Sequence, residues 1–189
     1  MTAPAVSKRR PGKTAARTVR VVIAHTLELT DPLLPQRILG DAQTMAEQVY
    51  PLLYLLENSL RELIRRVLRN AHGDEWWAQA VPGDVRREVQ RRRDREAEEP
   101  WHGRRGAHEV FYTDFGHLKR IVTSNQNWPY FQGILPSQQW LGQRLDELEM
   151  SRNTIAHCNP LQPHNIERFR IYLGDWQRQI DAVRDLIPK

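Results

Sequence analysis

The sequence has little of what characterises secreted or membrane proteins. Its 189 residues include one cysteine, Cys158, which excludes an internal disulfide framework and a multi-cysteine metal cluster. No apolar run approaches the ~18 residues of a membrane-spanning helix. The first 20 residues also have no apolar core of the secretory type. These absences favour a soluble cytoplasmic protein with no membrane association.

Motifs for cofactors and metals are missing as well. The chain has no glycine-rich phosphate loop, no histidine and cysteine spacing of the zinc-site type, and no internal repeat. His102 and His108 are two histidines in one segment without the spacing of a metal site, and we interpret them as exposed loop histidines. The sequence therefore predicts no cofactor and no metal site.

Positive charge is concentrated at the start of the chain. Residues 1–20 carry six basic residues and no acidic one, whereas the rest of the chain has 22 basic and 23 acidic residues. The overall charge of +5 therefore says little about the globular part. We interpret residues 1–20 as a disordered tail; a nucleic-acid-binding arm and a purification or fusion remnant are the alternatives.

Three regions follow from composition and periodicity. The basic tail (1–20) is followed by a connecting arm (21–40). At their junction, residues 19–29 could form a short strand or an apolar arm, which Pro32 and Pro35 separate from the helices that follow. Residues 41–189 are predicted to form one helical domain with a charged insertion near residues 84–106. One domain is the expectation for a chain of this length.

Four amphipathic segments predict helices. The first begins near Asp41 and ends near Gly73; the second covers residues 112–124 with Thr113 as N-cap; the third runs from Ser137 to Pro160; the fourth covers residues 166–187. Their apolar faces are formed by Leu53, Leu56, Leu60, Leu63, Ile64 and Val67, then Phe115, Leu118, Ile121 and Val122, then Leu141, Leu145, Leu148 and Ile155, then Ile166, Phe169, Tyr172, Leu173, Trp176, Ile180, Val183 and Ile187. Without any alternating strand pattern, this predicts an all-α, four-to-five-helix up-and-down bundle.

The stretch DVRREVQRRRDREAEE (84–99) is almost wholly charged. It can only be a solvated helix or a mobile insertion. Its arginines and those that follow it could form an RNA-tracking surface or could be balanced by neighbouring acidic residues. The candidate RNA-binding residues are Arg86, Arg91, Arg92, Arg104 and Arg105.

Two charges stand on predicted core faces. Arg152 falls in the stripe formed by Leu141, Leu145 and Leu148, and Glu57 falls in the apolar arc of the first helix. An unpaired buried guanidinium costs several kcal/mol, so Arg152 needs a carboxylate, a second subunit or a bound anion.

Two interpretations of this pattern remain open. Glu57 and Arg152 could form a structural ion pair while His157 caps the helix C-terminus. Alternatively, Arg152, Asn153 and His157 could form an active site. Arginine supplies a planar fork for a phosphate, and histidine can transfer protons near neutral pH.

The motif RNTIAH (152–157) resembles the Arg, polar residue, three variable residues, His motif of the HEPN superfamily (higher eukaryotes and prokaryotes nucleotide-binding domain). The resemblance to its Swt-type branch extends over about residues 41–187. It rests on YPLLYLLENSLRELIRRVL (50–68), DEWW (74–77), FYTDFGHLKRIV (111–122) and the Trp140 helix ending in RLDELEMSRNTIAH.

The resemblance implies a four-helix bundle that dimerises and cleaves RNA without metal through 2′-hydroxyl attack. Arg152 would hold the phosphate, and His157 would act as acid or base. Asn153 would orient His157 or the phosphate, and Glu57 would position Arg152. The implied function is a toxin or antiviral-defence endoribonuclease with RNA, a second copy of the chain and an antitoxin or defence-system protein as partners. A non-catalytic HEPN module that binds RNA, nucleotide or a partner protein is the main alternative, and a purely structural or DNA-binding helical domain is the third.

Overall fold

The computed structural model describes residues 32–189. The predictions for the basic tail and for residues 21–31 of the arm lie outside the described residues. Residues 34–189 form one compact unit. Within the described range, no helix combines the length and apolar character needed to cross a membrane.

The regular secondary structure of residues 32–189 consists of helices and contains no strand. The α-helices are α1 (Gln36–Thr44), α2 (Tyr50–His72), α3 (Trp76–Ala80), α4 (Gly83–Ala97), α5 (Phe115–Thr123), α6 (Trp128–Phe131), α7 (Gln138–Ala156) and α8 (Pro163–Ala182). A π-helical turn (Met45–Val49) joins α1 to α2, and 3₁₀ turns occupy Gly73–Glu75, Glu109–Tyr112 and Arg184–Leu186. The predicted all-α bundle is confirmed.

Helix α2 is the centre of the bundle and contacts α5 and α8. It begins at Tyr50 with Pro51 in its first turn, where the missing N–H costs no hydrogen bond. It ends at His72, and the C-cap Gly73 has a φ of 69°, a positive value that glycine adopts readily. The predicted apolar face is buried in full, at Leu53, Leu56, Leu60, Leu63, Ile64 and Val67. The helical region itself starts earlier than Asp41, because α1 begins at Gln36.

Helix α5 starts later than predicted. Its N-cap is Asp114, which accepts a hydrogen bond of 3.0 Å from the backbone N–H of His117. Thr113 was predicted to take this role, but its hydroxyl donates to the Val110 carbonyl at 2.6 Å and is buried. Phe115, Leu118, Ile121 and Val122 are buried as predicted.

Helix α7 begins at the residue predicted to open it: Ser137 is the N-cap, and its hydroxyl accepts a hydrogen bond of 2.9 Å from the Trp140 N–H. It ends at Ala156 through a turn rather than at Pro160. The Cys158 N–H donates to the Ile155 carbonyl at 2.8 Å, and the Asn159 N–H donates to the Thr154 carbonyl at 3.1 Å. This is the Schellman pattern, with Cys158 at φ 56° in the position usually held by glycine.

The charged segment forms a helix, α4, with only a narrow buried edge at Val85 and Val89. It packs against the 3₁₀ turn Glu109–Tyr112. The last helix, α8, buries Ile166, Phe169, Leu173 and Trp176. The Trp176 indole Nε1–H donates to Ser59 Oγ at 2.7 Å, which joins α8 to α2.

Candidate functional site

The last turns of α7 and the first half of α2 border an open depression of about 410 Å³. Arg152 and Glu57, the two charges predicted on opposing core faces, both line it. Among residues 32–189 its lining consists of Tyr50, Leu53, Tyr54, Glu57, Asn58, Arg61, Arg92, Arg105, Phe111, Thr113 and Arg152. Within this described part of the chain, four arginines and one carboxylate therefore border the depression.

Glu57 forms its ion pair with Arg61 rather than with Arg152. The Glu57 Oε1 to Arg61 Nη2 distance is 2.5 Å, and both side chains are about 15 % exposed. The two residues are four apart on α2, so the pair is formed within one helix. The structural pairing of Glu57 with Arg152 considered from the sequence is not formed.

Arg61 also connects α2 to the segment preceding α5. Its Nη2 donates to the Thr113 carbonyl at 2.6 Å, and its Nη1 donates to Asn58 Oδ1 at 3.2 Å. Sequence reasoning did not single out this residue. The available signal was its position one helical turn after a glutamate that occupies an apolar face.

Burial dominates the electrostatics of this pair. Burial raises the pKa of Glu57, while the charges of Arg61 and then Arg152 oppose this effect without cancelling it. Burial likewise lowers the pKa of Arg61, and Glu57 opposes that change. Desolvation thus acts against both charges, as expected for a buried ion pair. The influence of Arg152 on Glu57 acts through space, because no ion pair joins them.

Arg152 is partly buried and has no carboxylate partner in the described part of the chain. Its Nη1 donates to Asn153 Oδ1 at 3.2 Å. Among residues 32–189, no carboxylate oxygen lies within 4.0 Å of its guanidinium nitrogens, in contrast to Arg61 and Arg92. Arg152 therefore has positive charge and free donors in the depression, and these can bind an anion.

Two of the predicted RNA-binding arginines lie in the same depression. Arg92 on α4 donates to Asp114 Oδ2 at 2.9 Å and to the Tyr112 carbonyl at 2.8 Å. Burial raises the pKa of Asp114, but hydrogen bonds from His117 and Arg92 outweigh this and hold the pKa well below its usual range. Arg105 is exposed, and its Nε is 3.9 Å from Glu96 Oε1.

The other three predicted RNA-binding arginines do not line this depression. Arg86 donates to the Val81 carbonyl at 3.1 Å. Arg91 pairs with Glu88 one turn earlier on α4. Arg104 lines a separate depression beside Glu96 and Tyr112. The five candidates therefore lie on more than one surface.

Asn153 and His157 lie at the C-terminal end of α7, and both are exposed. The His157 backbone N–H donates to the Asn153 carbonyl at 3.2 Å, and Asn159 Nδ2 donates to the His157 carbonyl at 3.1 Å. The imidazole itself makes no hydrogen bond with another residue in the range 32–189. Neither Asn153 nor His157 lines the depression that contains Arg152.

Three aromatic side chains of the depression were missed from the sequence. Tyr50, Tyr54 and Phe111 are 60 %, 56 % and 40 % exposed. The rings of Tyr50 and Tyr54, one turn apart on α2, have centroids 6.0 Å apart and planes inclined by 35°. Their i, i+4 spacing outside the apolar arc was the signal that could have identified the tyrosines.

Within the described part of the chain, no group of three or more histidine, cysteine, aspartate or glutamate side chains is placed to hold a metal ion.

Comparison with protein families gives one result. The family model for Swt1-like HEPN domains matches residues 52–181, a range that includes Glu57, Arg61, Arg92, Arg152 and His157. Comparisons with curated proteins and with solved structures gave no significant match. The matched range covers more than half of the chain, from the first turn of α2 to the end of α8. This chain belongs to the Swt1-like HEPN family.

Proposed function

We propose that this HEPN protein is a metal-independent endoribonuclease. The observation that carries the proposal is the state of Arg152, a partly buried guanidinium without a carboxylate within ion-pair distance among residues 32–189, in a depression with three more arginines. A phosphodiester supplies the missing negative charge, and its non-bridging oxygens match the planar donors of a guanidinium.

In the proposed reaction, Arg152 binds a non-bridging oxygen of the scissile phosphate and stabilises the charge that develops there. A histidine base removes the proton of the adjacent 2′-hydroxyl, and its oxygen forms a bond to phosphorus. The bond from phosphorus to the 5′-oxygen breaks, and a histidine acid protonates that leaving oxygen. The products are a 2′,3′-cyclic phosphate and a 5′-hydroxyl.

A homodimer is part of the proposal. His157 is exposed and lies outside the lining of its own protomer's depression. A twofold arrangement of α7 ends would bring Arg152 and His157 from both protomers into one cleft. One imidazole would then serve as the base and the other as the acid.

The remaining site residues have positioning roles in this proposal. Asn153 holds the Arg152 guanidinium through the 3.2 Å hydrogen bond. Glu57 acts on Arg152 through space and fixes Arg61, which in turn holds the wall of the depression at Thr113. Arg92 and Arg105 add positive charge for the flanking phosphates; Arg86, Arg91 and Arg104 would contact RNA only beyond the depression.

A toxin or antiviral-defence role in the cytoplasm, with an antitoxin or defence-system protein as partner, accompanies the proposed activity. The competing function is a non-catalytic HEPN module that binds RNA, nucleotide or a protein. One observation favours this competitor: no hydrogen bond within residues 32–189 orients the His157 imidazole, whereas a catalytic histidine usually has an orienting partner.

Incubation with total RNA in EDTA distinguishes the two functions. Wild-type protein is expected to cleave RNA, and His157→Ala is expected to be inactive. His164→Ala is the matched control, since His164 is also exposed but lies at the start of α8. Equal cleavage by His157→Ala and wild type, or no cleavage by either, would rule out the proposed enzyme.

A further inference from the structure

We infer that Tyr50, Tyr54 and Phe111 form a base-stacking subsite beside Arg152, which makes single-stranded RNA with unpaired bases the ligand of the depression. The inference rests on the proposed function in one respect, namely that the bound anion is an RNA phosphate. It adds a binding site for the base, which recognition of the phosphate alone does not define.

The exposure of these rings needs an explanation. Each aromatic ring left in water forgoes the stabilisation that its burial would provide, and three of them border one depression. The same depression is lined by four arginines, which disfavour a purely apolar partner because their charges would be desolvated. A polymer of phosphates and flat aromatic bases matches both features.

The tyrosines provide two neighbouring platforms. Tyr50 and Tyr54 stand one helical turn apart on α2, with ring centroids 6.0 Å apart, and Glu57 follows on the next turn. Successive bases of a single strand can stack on successive aromatic side chains while basic groups follow the backbone. The tyrosines and Arg152 line the same depression, so the bases and the phosphate of one strand can be held together.

The third platform is fixed by a glycine. A Cβ placed on Gly106 would lie 2.6 Å from Cδ2 and 2.8 Å from Cγ of Phe111. The Phe111 ring therefore packs directly against the Gly106 backbone, while Phe111 as a whole is 40 % exposed and lines the depression. Gly106 thus acts as a positioning residue for this ring.

Stacking restricts the class of RNA. In a double helix the base faces are covered by neighbouring base pairs, so only loops, bulges and single strands can offer a base to an aromatic ring. Because every base has a π-face, the subsite selects unpaired RNA without selecting strongly among sequences.

The test uses a single-stranded 2′-O-methyl oligonucleotide, which lacks the nucleophile and cannot be cleaved, and a series in which one base at a time is replaced by an abasic site. By fluorescence anisotropy, wild-type protein is expected to bind at least one abasic oligonucleotide roughly tenfold more weakly than the complete one. Tyr54→Ala is expected to bind the complete oligonucleotide more weakly than wild type by a similar factor. Its affinity should then fall little further when the base at that position is removed. Tyr54→Phe retains the ring and should bind as wild type does.

Trp101→Ala is the control for removing an exposed aromatic side chain, since Trp101 is 81 % exposed and lies outside the depression. Equal binding of complete and abasic oligonucleotides by wild type, or no binding, overturns the inference. Normal binding by Tyr54→Ala also overturns the inference. The same holds if Tyr54→Ala loses binding and light scattering shows that it has dissociated into monomers. If the protein cleaves RNA in EDTA but binds abasic oligonucleotides normally, the stacking subsite is wrong and the proposed enzyme stands. If abasic sites weaken binding but no cleavage occurs, the proposed enzyme is wrong and the stacking subsite stands.

Discussion

Glu57 and Arg61 form an ion pair of 2.5 Å across one turn of α2, inside the depression that Arg152 lines. This pair neutralises the charge of Arg61 locally and occupies the carboxylate that would otherwise be available to Arg152. The positive charge that remains for a ligand is therefore centred on Arg152 at the end of α7.

Arg152→Ala is expected to slow RNA cleavage in EDTA by roughly a hundredfold or more, because a preorganised positive charge at the phosphate is lost. Single-turnover rates and labelling of 5′-hydroxyl ends provide the measurement. Arg178→Ala, which removes an exposed arginine of α8, should have no effect. A requirement for Mg²⁺ with 5′-phosphate products would show that Arg152 does not have the proposed role.

The protein is expected to be a homodimer at micromolar concentration, because the proposed cleft needs groups from two α7 ends. Light scattering should give twice the 22.2 kDa mass of one chain. A mass of one chain under conditions in which the protein cleaves RNA would exclude the composite site.

Cys158→Gly is expected to stabilise the protein by about 1 kcal/mol, since Cys158 occupies a left-handed conformation that costs a side chain roughly this amount. Urea unfolding measures the change. Cys158→Ala keeps the Cβ and serves as the control, so it should bring no such gain. Equal stability of the glycine and alanine variants would mean that the turn carries no strain.

Asp114→Asn is expected to destabilise the protein at neutral pH by about 2 kcal/mol, because the variant loses the ion pair and the charge-assisted hydrogen bond with Arg92. Asparagine retains the N-cap function, so the charge is isolated. The lowered pKa of Asp114 in the folded protein means that its stabilisation is present above the unfolded-state pKa of about 3.9 and is lost as the pH falls from there toward the folded-state pKa. Urea unfolding at several pH values should show wild type and variant converging below about pH 4; a constant difference would contradict this linkage.

Gly106→Ala is expected to weaken binding of the uncleavable oligonucleotide several-fold, because the added methyl group displaces the Phe111 ring. Gly103→Ala is a close control, since no atom lies within 4 Å of a Cβ placed there. Anisotropy titrations of both variants provide the comparison. Unchanged affinity of Gly106→Ala would show that Phe111 does not contact the ligand.

The helix faces could be predicted because burial imposes a 3.6-residue period, and the six apolar residues of α2 predicted to face the core, from Leu53 to Val67, are all buried. The start of α5 could not be fixed in the same way, because Thr113 and Asp114 are both good N-caps and only the fold shows that the Thr113 hydroxyl is used elsewhere. Pairing is harder still. For Glu57 the candidate partners were Arg152 on the facing helix and Arg61 on its own helix. The sequence does not show which of the two guanidinium groups approaches the carboxylate more closely.

Residues from loops were the least predictable. Phe111 and Gly106 contact each other across a segment without regular periodicity, so no pattern indicated that the ring would border the site. The opposing charges Glu57 and Arg152 were recognisable as exceptions to apolar stripes, and the structure brings both to one depression. Exceptions to a pattern can be read from sequence, whereas the contacts that accommodate them depend on the tertiary fold.

The turn that ends α7 gives His157 an unusual combination of a fixed backbone and a free side chain. Hydrogen bonds of the turn restrain the main chain from Thr154 to Asn159, while the imidazole has no hydrogen-bond partner within residues 32–189. When a ligand engages the ring, only two side-chain torsions need to be ordered, at an entropic cost of about 1 kcal/mol. The histidine can therefore face solvent in the free protein and still be ordered by a ligand at little thermodynamic cost.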